Sequence, residues 1–350
     1  MVRNEGRLDL WDGVTLQNNA KKGDYGSAIN SVSNSNLNMY GGLITHCLTT
    51  GTEDRGQGAV YIGNSGVNWQ DKPTNQVATF AMYGGSIRNN ATTGKSSSDG
   101  GGVALDQAKM NLYAGEIFYN HAGVHYRNDS TMGYAGDGVG VMVRCVSVLD
   151  MYGGSIHHNY AGGYGGGIVA WNGDVNLHGG EVTQNVGAFG GGIGIAAANS
   201  QTSYVHMYGG SVAYNEAISA IAGTGYFQMG AHLDLQGGTI QQNKAAYGGG
   251  IAVYANGNKK AEADAVNTEV TMSGDFALTA NSANYNGNGM YVTNTSPENR
   301  HTLLTMSGAA RIDTNNPVYF NNLCTNQVPV HVSGTLTTAG TAAIFQFSNS

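Results

Sequence analysis

The sequence predicts an all-β chain, wound as a right-handed single-stranded parallel β-helix, a solenoid of about ten to eleven coils. Three observations carry this prediction. A motif of the form Met-Tyr-Gly-Gly-x-Ile-x-x-Asn recurs along the chain. A second, Gly-rich motif follows its copies. No segment shows the 3.6-residue period of a helix. A self-similar repeat is the signature of a solenoid, in which each unit buries its apolar face only against its neighbours.

The first motif is clearest in FAMYGGSIRNN at 80–90, and returns as LYAGEIFYN at 112–120 and MYGGSIHHN at 151–159. Further copies are LHGGEVTQN at 177–185, MYGGSVAYN at 207–215 and LQGGTIQQN at 235–243. Earlier copies are LWDGVTLQN at 10–18 and MYGGLITHC at 39–47, and the pattern decays at 272–281, 306–315 and 332–340. The second motif reads GGGVAL at 100–105, GDGVGV at 136–141, GGGIVA at 165–170, GGGIGI at 190–195, GGGIAV at 248–253 and GNGMYV at 287–292. The step between anchor residues ranges from 26 (Met151 to Leu177) to 43 (Met39 to Met82). The shortest step is the coil itself and the excess is loop insertion, which costs little free energy on one face of a stack.

Each element has a physical reason. The strand before the Gly-Gly alternates apolar and polar residues: Phe80 and Met82 around Ala81, Met110 and Leu112 around Asn111, Leu149 and Met151 around Asp150. A period of two marks a half-buried strand with its apolar members inside. Glycine then turns the chain, because it tolerates positive φ. One apolar residue follows (Ile87, Ile117, Ile156, Val182, Val212, Ile240), and three residues on comes Asn90, Asn120, Asn159, Asn185, Asn215 or Asn243. These Asn are expected at turns, either tolerating the left-handed region or bonding one another along the stack. The Gly-rich motif starts a third strand, such as Ile168-Val169-Ala170, whose outward residues are small: Ala104, Gly140, Gly194, Ala252. Three strands per coil, stacked about 4.8 Å apart, give a rod roughly 50 Å long. Residues 1–315 are assigned to the repeats, and 316–350 to irregular terminal β rungs of the same solenoid.

Composition bounds the function. Of 350 residues, 55 are Gly and only 4 are Pro, without a Gly-X-Y period, which excludes collagen. Charged residues are 11% and the net charge is −7, so no basic stripe exists for nucleic acid. Cys47, Cys145 and Cys324 have no metal-binding spacing, and Cys47 and Cys145 read as core or turn fillers. No cofactor or metal is expected, and membrane insertion of this segment is not expected. The chain starts almost inside a coil, at Leu8-Asp9-Leu10, which leads us to expect a segment of a larger exported protein.

The pairing of Ile-x-x-Asn with Gly-Gly-Gly-Ile resembles the two short motifs of polymorphic outer-membrane protein repeats. It is also similar to the right-handed β-helix repeats of bacterial surface adhesins and, more loosely, to the pectin-lyase-like superfamily. The resemblance spans about 8–320, with Ile or Val here where those repeats commonly carry Phe. It implies an extracellular protein of the bacterial cell surface that is adhesive. The polygalacturonase motifs, the pectate-lyase motif and the calcium-binding nonapeptide are absent from the sequence.

Two surfaces are candidates for function. The residue after each anchor faces outward, and that row reads Trp11, Tyr40, Tyr83, Tyr113, Tyr152, His178 and Tyr208 before fading into Gln236 and Ser273. A flat aromatic strip suits the C–H faces of sugars, and Tyr anchors suit protein partners. The same row would stabilise a sheet by a few tenths to about 1 kcal/mol per pair with no ligand at all. The fade places a binding strip on the N-terminal half.

The second surface is the long loops read at 48–56, 91–100 and 121–136, beside the short ones at 160–164, 186–189 and 244–247. They carry Glu53, Asp54, Arg55, Lys95, Asp99, His121, His125, Tyr126, Arg127, Asp129 and Asp137. Asp99 and Asp137 precede neighbouring Gly-rich turns, and two close carboxylates suit glycosidic-bond chemistry, a calcium ion, or local turn bonding. In His157-His158 the two rings are expected on opposite faces of a strand. The leading expectation is a cell-surface binding module for a glycan or a host protein. The alternatives are a glycosidase or polysaccharide lyase using Asp99 and Asp137, and a structural stalk.

Overall fold

The computed structural model describes residues 1–350 apart from 24, 52–57, 64–76, 95–98, 124–135, 197–201, 219–224, 229–230, 256–268, 295–302, 322–329, 338–344 and 348–350. The described chain is all-β and winds as a parallel β-helix. Its coil has four strands, not the three expected. One coil runs Ala78–Met82, Ser86–Arg88, Ala91–Gly94 and Val103–Asp106. Like strands of successive coils pair in parallel and build four sheets, called I to IV in that order. Sheet I has eleven strands, sheet II ten, sheet III nine and sheet IV twelve. The fourth wall is made of residues read from sequence as loops: 160–164, 186–189 and part of 91–100 are strands of sheet III. Some of these strands hold two residues, such as His121–Ala122, too few to display an alternation.

The anchors lie in register, coil upon coil. Met82 pairs with Met39 and Leu112, and Met151 with Leu112 and Leu177. Ile87, Ile117, Ile156, Val182, Val212 and Ile240 form the matching inner column of sheet II. Together with Val103, Val141, Ile168 and Ile193 of sheet IV they fill one continuous apolar core. Parallel sheets need such burial, and here the coil interior supplies it.

The corner between sheets II and III is made by the repeated Asn. Each side chain from Asn90 to Asn281 donates one amide hydrogen to the Oδ1 of the Asn one coil on, at 3.0–3.1 Å. Its other hydrogen goes to the carbonyl of the apolar residue one coil back, as from Asn159 to Ile117. The Oδ1 also accepts the backbone N–H of the preceding Asn. Every donor and acceptor of the buried amide is thereby used, as burial demands. The left-handed residue is the one before the Asn: Asn89, Tyr119, His158, Gln184, Tyr214 and Gln242 have φ of 50–57°. Of the two roles expected for the Asn, amide stacking is the one realised.

The Gly-rich turn packs directly on this corner. Gly165 has φ +62°, and a Cβ on Gly167 would lie 2.6 Å from the Gly192 carbonyl and 2.9 Å from Asn185 Nδ2. Glycine is required there by close approach rather than by flexibility.

Sheet IV is buried on both faces at residues 60–62, 103–106, 141–143, 168–170 and 251–253. Ala104 and Ala252, expected to face water, are covered. Ala104 packs with Tyr61, Met142 and Val169 under Tyr25, Tyr164 and Trp171, and Ala252 packs with Phe189 and Tyr291 under Tyr247 and Tyr319. Tyr25, Tyr164, Phe189 and Tyr247, each just before a Gly-rich turn, form part of a second apolar layer, so small outward residues make room for aromatic rings. Beyond 316, Val318–Asn321 and Phe345–Phe347 extend sheet IV, while Val330–Leu336 joins sheet I with a register shift between Met306 and Gly308.

Candidate functional site

The outer face of sheet I carries the aromatic row. Each ring follows an inward anchor, so period-two alternation turns it to solvent, and the register stacks it on the ring one coil away. Centroid separations from Trp11 to Tyr208 run 4.3, 5.1, 4.9, 5.1, 4.6 and 5.1 Å, with planes within 14° of parallel. All seven residues expected from sequence therefore join one unbroken column. The column differs from the expected strip in one respect. Its rings are turned face to face, so an interior member spends both faces on its neighbours. Tyr83, Tyr113 and Tyr152 are nevertheless 45%, 40% and 47% exposed. The surface offered to water is a ridge of ring edges, one per coil, with a phenol hydroxyl at Tyr40, Tyr83, Tyr113, Tyr152 and Tyr208.

Beside the ridge runs a column of planar polar side chains, linked along and across the strands. Asn38 donates to Asp9 at 2.8 Å, and Asn176 to Asp150 at 2.7 Å. Gln236 donates to Asp234 at 2.6 Å, and Lys109 pairs with Asp150 at 2.8 Å. Burial pushes the Asp150 carboxyl up, but the bonds from Lys109 and Asn176 outweigh it and hold the group below the ordinary carboxylate range. Held in this way, the side chains keep little rotamer freedom.

Sequence reading missed the densest part of this face. Tyr204, His206 and Tyr208 lie side by side on one strand, with centroids 5.8 and 6.0 Å apart. His232 stacks on Tyr204 at 5.0 Å, His206 faces Asp234 at 3.4 Å, and His232 faces Glu269 at 3.5 Å. The signal was present in the alternation, since Tyr204 and His206 are the outward residues of the strand ending at Met207. The face is thus richest around Tyr208, not confined to the N-terminal half.

His157 and His158 do not point to opposite faces. The strand ends at His157, and His158 is left-handed at φ 52°, which swings the two Nδ1 atoms to 2.8 Å. Burial, and then His158, lowers the His157 pKa. Among the described residues no group of three or more His, Cys, Asp or Glu is placed to hold a metal ion.

Asp99 and Asp137 do come together. The backbone N–H of Asp137 donates to Asp99 Oδ1 at 3.4 Å, and the N–H of Tyr164, one coil further, donates to Asp137 Oδ1 at 2.7 Å. Arg144 reaches across to Asp106 at 3.0 Å and to Asp99 at 3.6 Å, and Tyr61 donates to Asp106 at 3.4 Å. Burial, and then the charge of Asp99, pushes the Asp137 carboxyl well above the ordinary range, while the Tyr164 N–H opposes this. Burial works against the Arg144 charge, but Asp106 and Asp99 outweigh it and raise its pKa. Both carboxylates therefore hold the backbone of the next coil, the work of turn-closing aspartates. Of the other loop residues, His121 lies in sheet III, stacked on Tyr160 at 5.1 Å. Glu53, Asp54, Arg55, Lys95, His125, Tyr126, Arg127 and Asp129 lie outside the described residues. So does Cys324, whereas Cys47 and Cys145 are buried and form no disulfide.

No family model, curated protein or solved structure matches this chain. No helix among the described residues is long and apolar enough to cross a membrane.

Proposed function

We propose that the chain is a binding module of an extracellular bacterial surface adhesin, and that it presents the outer face of sheet I to a linear glycan. One observation carries the reading: a ridge of seven stacked rings, one per coil, beside prearranged Asp, Asn, Gln and His side chains. The coil repeat of about 4.8 Å is close to the length of one sugar unit in an extended glycan. A chain laid along the axis meets a ring edge at each step, a phenol hydroxyl at the five tyrosine steps, and a polar side chain beside the ridge on every coil except that of Ala81. The low charge suits a neutral polyol, and the motif resemblance to surface adhesins supports the location. A host protein on the same face is the neighbouring reading.

The test is binding of the purified chain to a mixed glycan and mucin array, with the Tyr83→Ala, Tyr113→Ala, Tyr152→Ala triple variant alongside. A specific glycan signal that the folded triple variant loses is the expected result. Unchanged binding by that variant removes the ridge from the proposal. A silent array with capture of a secreted host protein moves the proposal to the protein ligand, and silence toward both leaves a stalk.

A carbohydrate-active enzyme is the second reading, favoured by the single fact that Asp99 and Asp137 lie on neighbouring turns, with burial and the Asp99 charge pushing the Asp137 carboxyl above the ordinary range, the direction in which catalytic acids are tuned. Release of product from a polysaccharide panel, abolished by Asp99→Asn with Asp137→Asn, would support it.

A further inference from the structure

We infer that the tyrosine ridge is a modification site, at which one-electron oxidation joins phenols of successive coils into intrachain dityrosine bridges. The inference rests on the column itself and is independent of any ligand. Tyr40, Tyr83, Tyr113 and Tyr152 are four tyrosines in succession, with centroids 5.1, 4.9 and 5.1 Å apart and planes within 9° of parallel. Their strands are locked in register, Met39 to Met82, Met82 to Leu112 and Leu112 to Met151, so neighbouring rings cannot drift apart. Solvent reaches Tyr83, Tyr113 and Tyr152, each 40% exposed or more. Held neighbours react as if at very high local concentration, so coupling within the chain outruns coupling between dilute chains.

The chemistry needs an external oxidant, which we take to be hydrogen peroxide activated by a haem peroxidase. Each phenol gives one electron to the oxidant and its hydroxyl proton to water, leaving a neutral radical with spin on the ring carbons beside the oxygen. Two such radicals on adjacent coils form one carbon–carbon bond. Each coupled carbon then loses its hydrogen as a proton, and each oxygen regains one, restoring both phenols. In sum, two tyrosines lose two hydrogen atoms and one peroxide becomes two waters.

The order of the column sets the outcome. Tyr40 with Tyr83, and Tyr113 with Tyr152, give two bridges. Coupling of Tyr83 with Tyr113 strands the outer two, which have no other tyrosine beside them in the column. His178 separates Tyr152 from Tyr208, with centroids 4.6 and 5.1 Å away, so Tyr208 finds no phenol partner within the column. A bridge from Tyr40 to Tyr83 ties positions 43 residues apart and staples neighbouring coils of sheet I.

The experiment oxidises the dilute full chain with peroxidase and peroxide, isolates the monomer, and maps cross-linked peptides by mass spectrometry. The Tyr83→Phe, Tyr152→Phe double variant is treated in parallel. It keeps every ring of the stack but leaves Tyr40 and Tyr113 without adjacent phenols. Dityrosine among the peptides holding Tyr40, Tyr83, Tyr113 and Tyr152 is expected in the wild type. It should fall at least fivefold at Tyr40 and Tyr113 in the variant, with Tyr208 uncoupled in both. The oxidised wild-type monomer should also unfold at a higher temperature than the oxidised variant. Absence of these bridges while free tyrosine couples in the same tube, or bridges at Tyr40 or Tyr113 that persist in the variant, overturns the inference. Equal unfolding temperatures overturn the stapling.

Discussion

Asn159 and Asn185 are joined amide to amide: Nδ2 of Asn159 donates to Oδ1 of Asn185 at 3.0 Å, while its second hydrogen meets the Ile117 carbonyl at 3.0 Å. The pair is one step of a ladder that runs from Asn90 to Asn316. Asn159→Ala would orphan the Asn120 N–H, one Asn120 amide hydrogen and the Ile117 carbonyl, all in a dry corner. At roughly 1–3 kcal/mol for each buried orphan, the loss is about 3–9 kcal/mol. Asn159→Asp keeps the shape but sets an acceptor against Asn185 Oδ1, and should be at least as damaging. Urea unfolding monitored by circular dichroism reads both.

The ladder has one defective step. Cys47 occupies the Asn position of its coil: its backbone N–H donates to Asn90 Oδ1 at 3.0 Å, but its thiol turns to the Thr45 carbonyl at 3.3 Å, reaches the Leu16 carbonyl only at 3.9 Å, and accepts from Asn19 Nδ2 only at 3.8 Å. Cys47→Asn would complete the bonds to Leu16, Asn19 and Asn90. At about 1 kcal/mol net per hydrogen bond, a gain of roughly 1–2 kcal/mol is expected in the same unfolding experiment.

Asp137 gives a pH dependence with a defined sign. Its carboxyl is held well above 3.8 in the folded chain, by burial first and by Asp99 second. The folded chain thus keeps a proton that the unfolded chain has already released. Stability therefore falls as pH rises from 3.8 toward the raised value, and stays at the lower level above it. Asp137→Asn keeps an oxygen for the Tyr164 N–H and removes this slope. Its stability relative to wild type should rise with pH across that window, as measured by denaturation at several pH values.

A small apolar cavity of about 20 Å³ lies in the core among Leu177, Ile193, Val205, Met207, Val212 and Leu233. The register explains its position, because Ile193 pairs with Gly225, which has no side chain to fill that point of the inner column. Val212→Ile restores the residue found one coil on at Ile240 and extends one methylene toward the space. A gain of about 0.8 kcal/mol is expected, the value of one buried methylene. A loss would mean that the cavity walls cannot admit it.

Much of this molecule was legible in the residues. Strict alternation placed Phe80, Met82 and Met110 inside and the rings of Tyr83 and Tyr113 outside, and the Asn spacing located a buried ladder. What was not legible was what lies beyond one coil's own period. Two-residue strands such as His121–Ala122 carry no alternation, so the fourth wall read as loop. The cover over Ala104 and Ala252 comes from residues upstream of the Gly-rich turn, packing across sheet IV, which local pattern does not encode. The same holds for the left-handed site: Tyr119 and Tyr214 are not residues that advertise positive φ, and the turn imposes it on them. Asp99 and Asp137 were correctly placed together, but Arg144, which closes their cluster, lies in a different strand and had no signal of its own.

The most direct test of the ridge as a binding surface removes its hydroxyls and keeps its rings. The Tyr83→Phe, Tyr113→Phe, Tyr152→Phe variant preserves the stacking, and its affinity for the glycan captured on the array would be measured beside wild type. Recognition through the hydroxyl ridge predicts binding weakened at least tenfold with an unchanged unfolding midpoint. Equal affinity in a folded variant would contradict it, and would leave the column as a stabilising seam of sheet I.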